Sequence, residues 1–133
     1  MRIILHADDF GLDEQSTTAT IECLEAGSLT SASVMANMPA TGQAVDYARR
    51  NDHISFGVHL VYVTDHHERP VANPADLPTL TGHGTHFHST RDLIARILRG
   101  RVSVADIERE TAAQIGRLMG MGLRITHVDS HGH

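Results

Sequence analysis

Short apolar runs rich in β-branched and small residues alternate with helix-length segments over residues 2–63, and this spacing limits the possible folds more than any other feature of the chain. The first run, residues 2–7 (Arg-Ile-Ile-Leu-His-Ala), stops at Asp8-Asp9-Phe10-Gly11 and reads as a buried strand entering a turn. Asp13 is placed to cap a helix through about Ala26, and Gly27 stands where a left-handed residue ends one. The pattern then recurs, with strands predicted over 29–36 and 54–63 and a helix over 40–50. Parallel strands need a crossover connection long enough for a helix, so strand-helix-strand-helix-strand is the grammar of a parallel sheet.

Residues 64–89 show no sustained periodicity and hold Pro70, Pro74 and Pro78 together with five histidines. A connection of that length is expected to be functional, as a lid or a substrate-binding wall. Helical signals return over 91–98 and again from Ser103, where Ser103 and Asp106 suggest a capping-box-like start and Val104, Ile107, Ile115 and Leu118 an apolar stripe. Gly120 and Gly122 end that helix, and residues 123–129 predict a fourth strand. Four such units cannot close an eight-stranded barrel of ~250 residues. The expected fold is therefore α/β with parallel strands, residues 1–133 forming a single domain that looks like half of something: a truncated chain, a natural fragment or a half-barrel that dimerises. A homodimer is one way to complete it.

Composition excludes several function classes. With 11 basic residues against 16 acidic ones and a net charge of -5, the chain lacks the clustered basic surface that nucleic acid requires. No apolar run approaches the ~20 residues of a bilayer-spanning helix, and the N-terminus lacks the regions of a secretory signal, so a cytoplasmic location is expected. Cys23 is the lone cysteine, which rules out a disulfide or a cysteine-based zinc cluster within this chain, and it is expected to pack as a small apolar residue. Eleven histidines are a large excess for 133 residues, and neutral imidazole is the commonest metal ligand.

The candidate chemistry gathers at predicted strand ends: Asp8 and Asp9 after the first strand, His59 in the third, and His127, Asp129 and His131 at the fourth. In α/β folds this is the edge where active sites assemble. Adjacent carboxylates can divide labour, one holding a cation while its neighbour accepts a proton from water, and an aspartate with two imidazoles leaves coordination positions open. Each signal also has a plain alternative. Asp-Asp serves as a turn and helix cap, His59 as a hydrogen-bonded core histidine, and the alternating His127, Asp129 and His131 as one face of a surface strand. His66, His67, His83, His86 and His88 are read as solvated loop. Asn37 is either a substrate-binding side chain at the second strand end or a turn former ahead of Met38-Pro39.

Four ordered motifs go further: Ala7-Asp8-Asp9-Phe10-Gly11, Thr30-Ser31-Ala32-Ser33, Gly57-Val58-His59-Leu60 and the run from Thr126 to His133. Together they resemble the YdjC-like family of carbohydrate deacetylases, which includes the ChbG chitooligosaccharide deacetylases, over the N-terminal half of the family's usual length. The resemblance implies a barrel-like fold and metal-dependent hydrolysis of an N-acetyl group on an amino sugar, with a small carbohydrate as substrate and acetate as product. It implies that Asp9, His59 and His131 hold a divalent cation, Mg or Zn, and that Asp8 is the general base. It thereby selects His131 over His127, which spacing could not do. A proton donor for the departing amine is not assigned, and His127 and His133 are the nearby candidates. The rival readings are another metal-dependent hydrolase, a phosphoesterase or amidohydrolase, and a noncatalytic metal-binding fragment.

Overall fold

The computed structural model describes residues 3–64, 68–81 and 84–132. His66, His67, His83 and His133, singled out above, lie outside the described residues. Four strands, β1 (His6–Phe10), β2 (Ser31–Met35), β3 (Ser55–Leu60) and β4 (Val128–Ser130), form one sheet in the order β1-β2-β3-β4, every neighbouring pair parallel. Helices α1 (Glu14–Glu25) and α2 (Thr41–Arg50) make the first two crossovers. The longer connection after β3 carries a 3-10 turn (Pro74–Asp76), the short α3 (Pro78–Thr81), α4 (Thr90–Leu98) and α5 (Val104–Gly120). The α/β class with a parallel sheet is as expected. His6 on β1 and Asp129 on β4 meet at 3.0 Å although their strands lie at opposite edges of the sheet, so the sheet is curled in the manner of a barrel wall.

Its convex face carries the main core. Phe10, Ala32, Val34, Phe56 and Val58 are buried there against Leu24 of α1, Ala44 and Val45 of α2 and Leu118 of α5. Phe10 stacks on Phe56 with ring centroids 6.1 Å apart, and Tyr47 meets both edge-on. α1 starts where Asp13 predicts: its carboxylate accepts from the Ser16 backbone N–H, which holds the Asp13 carboxyl below its ordinary value.

Several local expectations are corrected. The first strand begins at His6 rather than residue 2, where pairing to β2 begins, leaving Ile3, Ile4 and Leu5 exposed. Apolar content marks a strand, but a partner sets its ends. Cys23 lies on the exposed side of α1 rather than packing as an apolar residue. The Ser103–Asp106 capping box does not form: Ser103 makes no side-chain cap, and Asp106 instead accepts from the backbone N–H and hydroxyl of Thr79. The buried edge of α5 is Asp106, Glu110, Gln114 and Leu118, while Val104 is exposed. Those polar heads are buried because they satisfy backbone groups of the long connection. Glu110 accepts from the Val71 and Ala72 N–H groups, and Gln114 pairs with both backbone groups of Val61.

Candidate metal centre

At the C-terminal end of β1 the pairing advances three residues, Ala7 to Phe10, while β2 advances two, Ala32 to Val34. One extra residue is thus accommodated, and Asp9 takes it up with a left-handed backbone at φ 57°. Both Ala7 and Phe10 can then face the helices, which frees Asp8 and Asp9 from the core. A non-glycine residue held at positive φ marks a site that the surrounding structure over-determines.

Asp9, His59 and His131 each offer a ligand atom, all within 4.8 Å of one another. His131 Nδ1 lies 2.8 Å and His59 Nε2 3.1 Å from Asp9 Oδ1, and the two ring nitrogens are 3.4 Å apart. The three positions therefore meet at one point, and His59 is only 2% exposed. His59 Nδ1 sits 2.7 Å from Asp129 Oδ1 and 3.1 Å from Ser33 Oγ. A carboxylate only accepts, so the neutral imidazole carries its proton on Nδ1 and turns the Nε2 lone pair toward Asp9. His59 Nε2 and Asp9 Oδ1 then face each other as acceptors, with His131 Nδ1 beside both. A divalent cation with ~2.1 Å bonds spans atoms ~3 Å apart, so this donor set fits such an ion.

Asp8 stands beside this cluster with 59% of its side chain exposed and Oδ1 3.5 Å from His6 Nε2, and it also gathers with His59 and Asp129. It is the solvent-facing carboxylate of the pair. Asp129 is the hub below: Oδ1 meets His59 and Oδ2 meets His6 Nε2 at 3.0 Å. Burial pushes its carboxyl up, but hydrogen bonds from His59 and Ser33 and the adjacent His59 and His6 rings outweigh this and hold it below its ordinary value.

His127 does not join Asp9; its ring lies against His6 with centroids 5.0 Å apart. A Cβ on Gly57 would overlap that ring, which gives a packing reason for the glycine in β3. Burial pushes the His127 imidazole below its ordinary value, with His6 adding to the effect. Asn37 donates to the Arg69 and Pro70 carbonyls, so its amide ties down the long connection instead of facing the cluster. Nor are the described loop histidines simply solvated. His86 accepts from Arg69 Nε, and His88 is half-buried with its backbone bonded to Leu80 and Thr64. His6 was not singled out from sequence, and Ser33 only as part of the Thr30–Ser33 motif, without a role. The signal was there in the alternation of His6 with Asp8 and of Ser31 with Ser33, which is the period of a strand face.

Residues 2–133 match the family model described as YdjC-like protein. The chain belongs to the YdjC-like family. It is 36% identical over 130 residues to a carbohydrate deacetylase of Geobacillus stearothermophilus, covering 98% of this chain and 49% of the relative. A carbohydrate deacetylase of Brevibacillus brevis is likewise 36% identical, over 134 residues, covering all of this chain and 50% of that one. Among solved structures, a proposed cellobiose-phosphate cleavage protein from Enterococcus faecalis superposes with a TM-score of 0.82 at 28% identity, over 96% of this chain and 47% of its own. The chain thus spans about half the length of the relatives it matches. No helix among the described residues is long and apolar enough to cross a membrane.

Proposed function

We propose that this YdjC-like chain supplies the cation-binding part of a cytoplasmic carbohydrate deacetylase that removes an N-acetyl group from an N-acetylated amino sugar or chitooligosaccharide and releases acetate. The observation that carries this reading is the meeting of Asp9, His59 and His131 within 4.8 Å beside the exposed Asp8, in a family whose curated relatives are named carbohydrate deacetylases. Asp9, His59 and His131 are the ligands of a divalent cation, Mg or Zn, and Asp8 is the general base. When bound, the ion supplies Lewis acidity, polarising an amide carbonyl and acidifying water.

The chain's own groups do the rest. Asp8, open to solvent with His6 Nε2 3.5 Å from its Oδ1, takes the proton from the attacking water. Asp129 and Ser33 fix the His59 ring through Nδ1, so that its free lone pair is aimed before any ligand arrives. The curled sheet gathers all these groups on its concave face, apart from the apolar core.

Acetate release from N-acetylated chitooligosaccharides in the presence of Mg2+ or Zn2+ tests the reading. Release is expected from the protein and is lost in Asp8→Asn with cation binding retained. The absence of release with either cation would overturn it. The name of the Enterococcus relative favours one alternative, action on a phosphorylated disaccharide, so cellobiose-phosphate belongs in the same assay.

A further inference from the structure

A second set of ligand atoms lies on the concave face. His6, His127 and Asp129 each present one within 4.8 Å of the others, and neither histidine belongs to the Asp9 cluster. Both rings are anchored through Nδ1. His6 Nδ1 is 2.7 Å from Ser31 Oγ, and His127 Nδ1 is 2.9 Å from Thr126 Oγ1 with Ser55 Oγ at 3.4 Å. Such support orients a ligating imidazole. It leaves Nε2 free at His127, whereas His6 Nε2 faces the acceptor-only Asp129 Oδ2 and would give up its proton when the ion binds.

What Nε2 then meets differs between the two rings. His6 Nε2 reaches Asp129 Oδ2 at 3.0 Å and Ser33 Oγ at 3.1 Å. His127 Nε2 is buried and has no hydrogen-bond partner among the described residues. A buried polar atom without a partner calls for an explanation, and an unplaced ion is one of the few available. The glycine at position 57 keeps the space in which this ring is seated. Asp129 can serve both clusters at once, since Oδ1 faces His59 and Oδ2 faces His6.

We propose that His6, His127 and Asp129 form a second divalent-cation site, for Zn2+ or an ion of similar affinity for imidazole, which ties edge strand β1 to edge strand β4 across the concave face. Two imidazoles and one carboxylate suit zinc better than magnesium, which prefers oxygen ligands. The site would act as a staple on the curvature of the sheet, because β1 and β4 share no backbone ladder. Binding to the folded state alone raises the melting temperature.

The test is Zn2+ titration of the 133-residue chain by calorimetry, with bound zinc counted per chain. A background with His66, His67, His83 and His86 changed to Gln removes loop binding. Two zinc ions per chain are expected. His6→Gln and, separately, His127→Gln should each leave one, and Asp9→Asn should leave the other, whose binding still raises the melting temperature. The proposal is overturned if Asp9→Asn binds no zinc, or if the stoichiometry survives both His6→Gln and His127→Gln. A single zinc lost only in Asp9→Asn would sink this second site while sparing the first. If His127→Gln does not fold, the counts for His6→Gln and Asp9→Asn decide.

Discussion

The two faces of the curled sheet are built from the same strands, residue by alternate residue, yet they obey different rules. On the convex face, Phe10, Ala32, Val34, Phe56 and Val58 bury apolar surface against three helices. On the concave face, His6, Ser31, Ser33, His59, His127 and Asp129 form a chain of polar contacts, several of them as deeply buried as the core: Ser33 is 0% exposed. Apolar burial favours folding roughly in proportion to area, whereas a buried polar group adds only about 1 kcal/mol net once it has found a partner and costs more than that without one. The convex face thus supplies stability. The concave face draws on it to hold side chains ready for a ligand.

Substitutions can break that division, and the largest effect is expected on the convex side. Phe10→Ala removes a ring stacked on Phe56 and should cost about 3–5 kcal/mol in urea denaturation. A loss below about 1 kcal/mol would mean that the core is not where stability resides. Next comes Asp9→Asn, which preserves the left-handed backbone but removes the charge. Zn2+ affinity at that centre should fall by more than ~100-fold while stability without cation stays near that of the parent. Equal losses in stability and affinity would erase the contrast between the faces. Asp129→Ala, acting through His59, is expected to weaken the same affinity by roughly 10–100-fold, and unchanged binding would show that His59 needs no support.

The smallest effect belongs to a residue on neither face. The Asp13 carboxyl is held below its ordinary value of 3.8, chiefly by the Ser16 N–H. Its folded pKa is depressed, so its contribution is present above the unfolded value and is lost as pH falls through the lowered one. Asp13→Asn, which can still cap the helix, should flatten that acid limb in melts across the range, and an unchanged limb would assign it to other carboxyls.

The same division explains what could be read in the sequence. Helix-sized segments and the capping role of Asp13 are local properties, and they emerged close to their observed positions. The strands kept their order but not their ends: the first was expected over 2–7 and the fourth over 123–129, and they run His6–Phe10 and Val128–Ser130. That Asp9, His59 and a histidine of the fourth strand would converge was legible because strand ends in a parallel sheet share an edge, but the choice of His131 over His127 came from the family resemblance and not from spacing. Asp129 could be listed but not given a task, since its partners His6 and His59 stand 123 and 70 residues away and only the register brings them to it. The polar edge of α5 was not read at all, because Glu110 and Gln114 acquire their partners only when the connection whose backbone they satisfy is folded over them.

The left-handed turn of the backbone at Asp9 also restricts which residues the position can admit. Glycine, asparagine and aspartate tolerate φ near 57° at modest cost, and most other residues do not. Of these three, only aspartate brings a negative charge. Conformation and chemistry therefore sieve the position independently and pass the same residue. A drift to glycine would relax the backbone and delete the ligand, while a drift to glutamate would keep the charge and strain the chain, so neither neighbouring step offers a gradual way out.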